Sequence, residues 1–514
     1  MDCRASLQHE RTELDKEAAS QIAKSYVKNL TALHDNVSVK SSIQAEGETA
    51  AVHEEAKEYS LTDPKHLQNF LVDANIRLVR LEYLFKLADA GRVWPRRQEA
   101  ESEVFEAADG TMRTALVTME ELQRPGLILQ AKDGKTCDAT IFSVSHTRES
   151  QQHPDPWRWQ LQSLLQHCEP KRLAAELIGF QIWVFIDFMC LYQYKRSEEE
   201  QHVFQKAMRS MHLLYSHRYI RHVIRLEELT PESEKSLEGS IDMYCEATGK
   251  FEARPLSELV LNSTPYSQRG WCVAEVQWMS TKDNLHGCSP MSPAVFQERV
   301  ARGEQGLADG LRLKFTHRSD AKLVSQLQEE VFLQHARQRK VLIAHSLPQH
   351  EVSMLATALP HFVNLEQLTI FSPAEDFNFG NSILELARGL DRLRPEKLAC
   401  LEVGGDGIGD SGAAALAAAV AKCKELSWLY IASDDIGDAG AASLAAAVLE
   451  CKKLTRFELR ECHMIGDVGV AALAAASLAA PWVEFAMGQH VSQLAHRLNH
   501  KWGNRTQGFI IDFE

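Results

Sequence analysis

A carboxylate stands in an otherwise apolar segment near the middle of this chain of 514 residues. The stretch TPYSQRGWCVAEVQWMS, residues 264–280, places Glu275 one helical turn after Trp271. A carboxylate beside an apolar wall can stabilise a developing positive charge, because exclusion of water strengthens the electrostatic interaction. The same carboxylate could instead form an ion pair with Arg269 or Arg218 at the surface. Both interpretations stay open at this point.

Apolar runs before and after this segment are predicted strands. They are ATIFSVSH at 139–146, IWVFIDFMCLY at 182–192, RHVIRL at 221–226 and LRLKFTH at 311–317. Segments with helical periodicity separate the first three runs, and one of them opens with a capping box formed by Ser197 and Glu200. Alternating strands and helices favour an α/β domain with a parallel, doubly wound sheet over residues 136–330.

The predicted sheet brings four polar side chains to one edge. Ser145 and His146 end the first strand, and Asp187 falls late in the second strand. Glu275 lies in the first turns of the helix after the third strand. Ligands of open parallel sheets bind outside the carboxyl ends of the strands, so we expect these four residues to line one cleft. Structural roles remain as alternatives, since Asp187 could cap a loop and His146 could be a packing residue.

Residues 336–514 contain a repeat with a period of 28 residues. Leu398, Leu426 and Leu454 open three copies that share the pattern I-G-D-x-G, and degenerate copies begin at Lys340 and Asn364. Each copy predicts one short strand and one helix, which bury their apolar faces only by stacking on neighbouring copies. The pattern predicts an α/β leucine-rich-repeat solenoid with a C-terminal cap.

An aspartate occupies the same place in each copy, at Asp410, Asp438 and Asp467. The run GGDGIGDSG is similar to a calcium loop, but the later copies lose its leading glycines and keep in common only I-G-D-x-G. We therefore expect turn glycines and aspartates near helix N-termini, where negative charge is favourable, and no metal site.

Residues 1–130 are predicted to be helical and partly disordered, with no recognisable chemistry. The segments QIAKSYVKNLTALHDNV, at 21–37, and HLQNFLVDANIRLVRLEYLFKLADAG, at 66–91, have helical periodicity. Gly91 is the predicted end of the second helix.

Composition excludes several classes of function. The net charge of −14 disfavours nucleic acid as a partner, and no apolar run reaches the ~20 residues of a membrane span. No phosphate-binding loop of the form G-x-x-x-x-G-K-[ST] occurs. The eleven cysteines are scattered, without metal-ligand spacing, and no secretory signal is visible. We expect a cytoplasmic protein with free thiols and no required cofactor.

Residues 136–330 resemble Toll/interleukin-1 receptor (TIR) domains. These domains open with a strand that ends in a Ser-His or similar pair, as Ser145 and His146 do here. They also carry an S-x-W-C-x-x-E type of motif, matched by Trp271, Cys272 and Glu275. In the members that hydrolyse NAD, the glutamate of this motif is catalytic.

The same residues resemble the heterokaryon-incompatibility (HET) domain, which is considered TIR-like. Its W-I-D-x-x-C-I-x-Q motif is similar to VFIDFMCLYQ, with Asp187, Cys190 and Gln193 at the matching intervals. A later R-x-W-x-x-Q-E motif is matched except that Ala274 replaces the glutamine. The repeats resemble the ribonuclease-inhibitor-like repeats of NOD-like receptors.

The resemblances imply an intracellular signalling or immune-type receptor or scaffold. Its repeats would bind a protein partner on their concave face, and its TIR-like domain would self-associate into a homo-oligomer or recruit effectors. The alternative is an NAD nucleosidase, with NAD as substrate and Glu275 as the catalytic carboxylate. The implied substrate-binding residues are Ser145, His146, Asp187, Gln193 and Trp271.

Overall fold

The computed structural model describes residues 59–124, 139–178, 180–280, 285–301, 313–315, 320–371, 378–393, 396–502 and 509–510. The predicted helix at 21–37 lies outside these residues. The described chain is α/β with parallel sheets, as the sequence predicts. None of its helices combines the length and apolar character needed to cross a bilayer.

The first sheet and the elements around it occupy residues 59–301. The strands are β1 Val79–Arg80, β2 Val104–Glu106, β3 Met112–Thr114, β4 Ala139–His146, β5 Gln181–Phe185, β6 Ile220–Leu226, β7 Ser240–Cys245 and β8 Lys250–Pro255. The helices are α1 Pro64–Asp73, α2 Leu81–Asp89, α3 Arg97–Ala100, α4 Met119–Leu122, α5 Trp159–Ile178, α6 Asp187–Cys190, α7 Glu198–Arg209, α8 Leu213–Ser216, α9 Gly270–Ser280 and α10 Pro293–Ala301.

The four strands of the first sheet have the order β1-β5-β4-β6. Strand β4 pairs in parallel with both β5 and β6, whereas β1 pairs with β5 in the antiparallel direction. The three parallel strands therefore have the order second-first-third, which is the order at the start of a flavodoxin-like sheet. The predicted parallel arrangement of these three strands is confirmed. The capping box of Ser197 and Glu200 is also present at the start of α7.

Residues 59–124 share the apolar core of this sheet. The predicted helix at 66–91 is two helices, because the chain leaves α1 at Asp73 and forms β1 before α2 begins. Buried Ile76 and Leu78 lie in the connection, so their helical spacing reflects a shared core. The predicted helix end is confirmed, since α2 stops at Asp89 and Gly91 has a φ of +65°.

Three further details differ from the sequence prediction. The second strand stops at Phe185, so Asp187 does not lie in the strand. Asp187 is the first residue of the short helix α6, and its side chain accepts a hydrogen bond from Phe188 N at 2.6 Å. The polar insertion at 227–262 contains the antiparallel hairpin of β7 and β8. In the predicted fourth strand only residues 313–315 are described, where Lys314 forms an isolated parallel bridge to Arg269.

The second sheet has eight parallel strands that follow one another in chain order. Its strands are β9 Leu285–His286, β10 Val341–His345, β11 Gln367–Phe371, β12 Cys400–Gly404, β13 Trp428–Ala432, β14 Arg456–Arg460, β15 Glu484–Met487 and β16 Phe509–Ile510. Its helices are α11 Asp320–Gln338, α12 Gln349–Ala358, α13 Ser382–Leu393, α14 Gly409–Val420, α15 Asp438–Glu450, α16 Asp467–Ala479 and α17 Gln489–Trp502.

The sequence repeat sets the register of this sheet. Cys400 lies opposite Trp428, which lies opposite Arg456, so neighbouring strands are aligned at the period of the repeat. One helix follows each strand, and Leu398 and Leu426 are fully buried between strands and helices.

The repeat aspartates bind the next helix along the chain. Asp438 Oδ1 accepts hydrogen bonds from Gly466 N and Gly469 N, each at 2.7 Å, at the start of α16. Asp410 does the same for α15, with distances of 2.8 Å to Gly437 N and 2.7 Å to Gly440 N. Each carboxylate therefore caps the helix of the following repeat, in addition to lying in the first turn of its own helix.

Helix α11 joins the two halves of the described chain. Its Val324 and Val331 lie in the core of the first sheet, whereas Phe332 and Ala336 lie in the core of the second. Strand β9 also pairs with β10, so the second sheet begins before the expected domain boundary at residues 330–336.

The cross-repeat caps predict unequal effects at equivalent aspartates. Asp438→Ala should lower the free energy of unfolding by about 1–2 kcal/mol, because it removes two hydrogen bonds to the neighbouring helix. Asp467→Ala is the matched control, since Asp467 has no hydrogen bond to another helix within the described residues. It should cost about 0.5 kcal/mol through the helix dipole alone. Urea unfolding measures both values, and equal losses would contradict the cross-repeat cap.

Candidate functional site

The tip of β4 carries the first two site residues on opposite sides of the sheet. Consecutive strand residues face opposite ways, so Ser145 and His146 separate the site into two hydrogen-bonded pairs. Ser145 binds Glu275, and His146 binds Asp187. The four predicted residues therefore lie near the carboxyl end of β4, but they form two separate pairs and do not surround a single cleft.

Glu275 lies in a buried group of hydroxyls. Its side chain is on α9, and its Oε2 accepts a hydrogen bond from Ser145 Oγ. Ser145 Oγ also lies 2.6 Å from the hydroxyl of Tyr266, and the hydroxyl of the neighbouring Tyr215 donates to Val144 O at 3.4 Å. Glu275 is only 8% exposed, and no cation of the described chain pairs with it. It therefore does not form the surface ion pair with Arg269 or Arg218, which was one of the two interpretations that the sequence allowed.

The protonation of Glu275 is set mainly by burial. Burial raises the pKa of its carboxyl group to about 7, although the hydrogen bond from Ser145 opposes the shift. The negative charge of Asp187 raises this pKa further, and the charge of His146 lowers it. A carboxyl group that titrates near neutral pH at the edge of a parallel sheet has a protonation equilibrium suited to acid–base chemistry.

His146 and Asp187 form an ion pair at the other side of β4. The distance from His146 Nε2 to Asp187 Oδ1 is 2.7 Å. Burial alone would lower the pKa of His146, but the charge of Asp187 outweighs burial and raises it. Burial alone would raise the pKa of Asp187, but the charge of His146 lowers it to about 2. The imidazole is buried, whereas the Asp187 side chain is 35% exposed and faces solvent.

A single hydrogen bond orients the imidazole. His146 Nδ1 has no hydrogen-bond partner in the described part of the chain, and neither has Nε1 of the neighbouring Trp94. The two rings meet edge to face with their centroids 5.3 Å apart. Asp187 is therefore the group that fixes the ring orientation of His146.

Gln193 holds the loop that carries Asp187. Its Nε2 donates to the backbone oxygens of Asp187, at 3.1 Å, and Leu191, at 2.8 Å. The side chain is 9% exposed and its amide nitrogen is occupied by these bonds. In this structure Gln193 positions the exposed carboxylate.

Trp271 lies away from both pairs. Its indole nitrogen donates to Asp320 Oδ2 at 3.1 Å, at the first residue of α11, and its ring lies 6.3 Å from that of Trp278. The aromatic neighbours of Glu275 are Tyr215 and Tyr266, which the sequence prediction did not include. Tyr266 lies nine residues before Glu275 in the sequence, and this short separation is the feature from which Tyr266 could have been predicted as a site residue.

The two cysteines of the matched motifs are packing residues. Cys272 Sγ donates to His146 O at 3.5 Å, and burial raises the pKa of its thiol well above the usual value. Burial also raises the pKa of Cys190 to about 12. Both side chains are buried, and neither thiol is a thiolate at neutral pH. All nine cysteines of the described chain are free.

Metal binding has no visible site in this part of the chain. The described residues hold no group of three or more His, Cys, Asp or Glu side chains arranged to bind a metal ion.

Comparison with known proteins identifies no relative: no protein-family model matches this chain, and no curated protein matches it.

The buried carboxyl group predicts a specific dependence of stability on pH. The pKa of Glu275 in the folded protein lies above its ordinary value of 4.5, so its contribution to stability is complete below that value. The contribution is lost as the pH rises through about 7. Compared with wild type, Glu275→Gln should therefore gain up to about 3 kcal/mol in unfolding free energy between about pH 5 and about pH 8.

Chemical denaturation at both pH values measures this difference. The exposed Glu228→Gln is the control and should shift stability equally at the two pH values. A Glu275→Gln variant that follows wild type at both pH values would contradict a buried carboxyl group with a raised pKa.

Proposed function

We propose that this protein is a signalling receptor or scaffold whose leucine-rich-repeat solenoid binds a protein partner. The repeat period supports a solenoid, because each strand–helix unit packs beside the next in chain order. The free thiols of the described cysteines suit a reducing cytoplasmic setting.

The face of the second sheet that points away from the helices of the repeats, called the open face here, supports this proposal. Side chains alternate along each strand, so that Leu429 and Ile431 enter the core while Trp428 and Tyr430 lie on the other face. Because neighbouring strands are aligned, outward side chains on the open face lie side by side in rows across the sheet. Residues in these rows include Glu402, Trp428, Tyr430, Arg456, Arg460 and Glu484. No helix covers this face, since the described helices of the repeats follow their strands on the core side.

The composition of the open face suits a protein partner. Trp428 is 38% exposed, and the guanidinium carbon of Arg456 lies 5.9 Å from the centroid of a Trp428 ring. Aromatic and arginine side chains are enriched where proteins bind one another, and they supply most of the binding energy. At about 4.8 Å per strand, β10 to β15 span about 24 Å, which is wide enough for a helix or a folded loop of the partner.

The first sheet is the proposed effector part of the receptor. Its second-first-third strand order supports a TIR-like or HET-like fold that self-associates or recruits effectors. The enclosed position of Glu275 favours this role, because its carboxyl group already accepts a hydrogen bond from Ser145 and the residue is 8% exposed.

Substitution on the open face tests the receptor proposal. The full chain carrying Trp428→Ala together with Tyr430→Ala should lose at least about 90% of a partner that wild type captures, because the exposed Trp428 and the half-buried Tyr430 are the aromatic anchors of this face. The measurement is quantitative immunoprecipitation from the source cells followed by direct binding of the purified partner. Trp482→Ala is the control, since Trp482 is 51% exposed but precedes β15 and lies off the open face. Unchanged binding by the double variant would end the proposal for this face.

NAD cleavage is the second candidate function, and the near-neutral pKa of Glu275 favours it. The bond between nicotinamide and ribose would break through an oxocarbenium-like state, and water would add to the ribose carbon. The products would be nicotinamide, ADP-ribose and a proton. Glu275 would stabilise the positive charge of the ribose, and the Ser145 hydroxyl would hold the carboxylate in place.

Nicotinamide release from NAD tests the enzyme proposal. Purified wild-type protein should release nicotinamide, and Glu275→Gln should reduce the rate at least ~100-fold because the amide cannot balance the developing charge. Chromatography of the products gives the rate, and the melting temperature shows whether the variant is folded. Equal rates in wild type, Glu275→Gln and the exposed control Glu228→Gln would exclude catalysis by this carboxylate.

A further inference from the structure

The polar insertion at 227–262 has a small apolar core of its own, against which Val93 packs. The buried side chains of this cluster are Ile241, Met243, Leu256 and Leu259. Among the described residues, none of them belongs to the larger core around β4 and β5. Segments with few buried apolar contacts open at a lower free energy than the core beside them. The hairpin of β7 and β8 is therefore expected to open while the first sheet stays folded.

The insertion at 227–262 lies against the loops that follow the strands of the first sheet. Gln151 N, in the loop after β4, donates to Val260 O at 3.0 Å. The ring of Tyr194, in the loop after α6, meets the ring of Tyr244 in β7 edge to face, with the centroids 5.3 Å apart. Both loops lie at the carboxyl edge, where open parallel sheets bind ligands. The insertion therefore covers the edge that carries the candidate site.

Arg96 joins the hairpin to the loop after α6. Its guanidinium carbon lies 3.8 Å from the centroid of the Phe251 ring in β8, and its Nη1 donates to Tyr194 O at 2.7 Å. Glu99 holds the guanidinium in place, because it accepts from Nε at 2.9 Å and from Nη2 at 2.6 Å. Phe251 lies opposite Tyr244 in the register of the hairpin. Two paired aromatic side chains of the hairpin therefore hold Arg96 and Tyr194 together.

The same contacts continue to the ion pair of His146 and Asp187. Gln98, two residues after Arg96, exchanges two hydrogen bonds with the backbone of Gln193, at 2.7 Å from Gln98 Nε2 to Gln193 O and at 3.1 Å from Gln193 N to Gln98 Oε1. Gln193 Nε2 donates in turn to Asp187 O at 3.1 Å, and Asp187 orients the imidazole of His146. A displacement of the hairpin can therefore reach the ion pair through contiguous contacts.

Trp94 closes the remaining side of the imidazole. Its side chain is 1% exposed, its backbone oxygen accepts a hydrogen bond from His153 Nε2 at 2.9 Å, and its ring meets that of His146 at 5.3 Å. Trp94 Nε1 and His146 Nδ1 are both buried without a hydrogen-bond partner in the described part of the chain. A buried polar group without a partner costs free energy. Opening would relieve this cost, because both nitrogens would reach water.

We propose that the hairpin of β7 and β8 and residues 93–98 form a cover that opens as a unit and controls access to the ion pair of His146 and Asp187. In the closed form His146 is 7% exposed, and Gln193 holds the backbone of Asp187. Opening separates the hairpin from residues 93–98 and exposes the imidazole. The cover controls the carboxyl edge whether or not the protein cleaves NAD, and it does not involve the open face of the repeats.

Modification of the full chain by diethyl pyrocarbonate at a fixed pH tests the cover, since peptide mass spectrometry gives the reaction rate of each imidazole. In wild type, His146 should react at least about tenfold more slowly than the exposed His202. Tyr244→Ala together with Phe251→Ala should raise the rate at His146 at least about fivefold, because both aromatic contacts of the hairpin are lost. His202 should keep its rate. Asp242→Ala, at an exposed residue of β7, is the matched control and should react like wild type.

Hydrogen–deuterium exchange separates opening of the cover from unfolding of the sheet. In wild type, the amides of β7 and β8 should exchange at least about tenfold faster than those of β4. The double variant should exchange faster over residues 93–98 and at Gln193, whose amide donates to Gln98. The protection of β4 and the melting temperature should stay as in wild type.

Arg96→Ala is a second variant that leaves the hairpin sequence intact. It removes the contacts with Phe251 and Tyr194 from the other side, so it should also raise the rate at His146. An unchanged rate at His146 in both folded variants would overturn the cover. Wild-type His146 reacting as fast as His202, or hairpin amides that exchange only together with β4, would overturn it as well. Nicotinamide release and partner capture do not enter these measurements, so failure of either functional proposal leaves the cover standing.

Discussion

Parallel hydrogen bonding of β4 to β5 on one side and to β6 on the other places Ser145, His146 and Asp187 at one edge of the sheet, where Glu275 of α9 meets Ser145. The three carboxyl ends meet at one edge, so the loops after β4 and β5 bring together residues that are about 40 positions apart in the chain. A slip of one residue in β4 would turn Ser145 and His146 to the wrong faces and break both of their pairs together. The register of this strand is therefore a condition for the whole arrangement.

The His146–Asp187 pair and the Ser145–Glu275 pair differ in whether the charged form of the carboxyl group is stabilised. The carboxylate of Asp187 raises the pKa of His146 and the imidazole lowers the pKa of Asp187, so their charged forms stabilise each other while the carboxylate remains partly in water. Glu275 has hydroxyl partners in place of a cation, so burial favours its neutral form. Because Asp187 raises the pKa of Glu275 and His146 lowers it, a ligand that changes the ion pair would also change the protonation of the buried acid.

The repeats and the first sheet are joined by packing and by hydrogen bonds. Helix α11 contributes to both apolar cores, and the partly buried Glu351 of α12 accepts a hydrogen bond from Ser289 N at 2.6 Å. Within the repeats, the bond from Asp438 to the next helix transmits the position of one unit to its neighbour. Glycine is needed at position 469, since a Cβ there would lie 2.6 Å from the Asp438 carboxylate. A partner on the open face would therefore act on a structure continuous with the first sheet.

The sequence alone determined which elements form and which residues reach the edge of the first sheet. Strand and helix periodicities are local, so they predicted the parallel strands, the aligned repeats and the nearness of Ser145 to Glu275. They also placed residues 66–91 in one helix, because residues buried in a common core can imitate helical spacing across a break. Tertiary structure decided that Trp271 faces α11 and that the Arg148 guanidinium lies 5.7 Å from the ring of Phe188. Periodicity fixes which side chains share a face, but only packing of distant segments decides what covers that face.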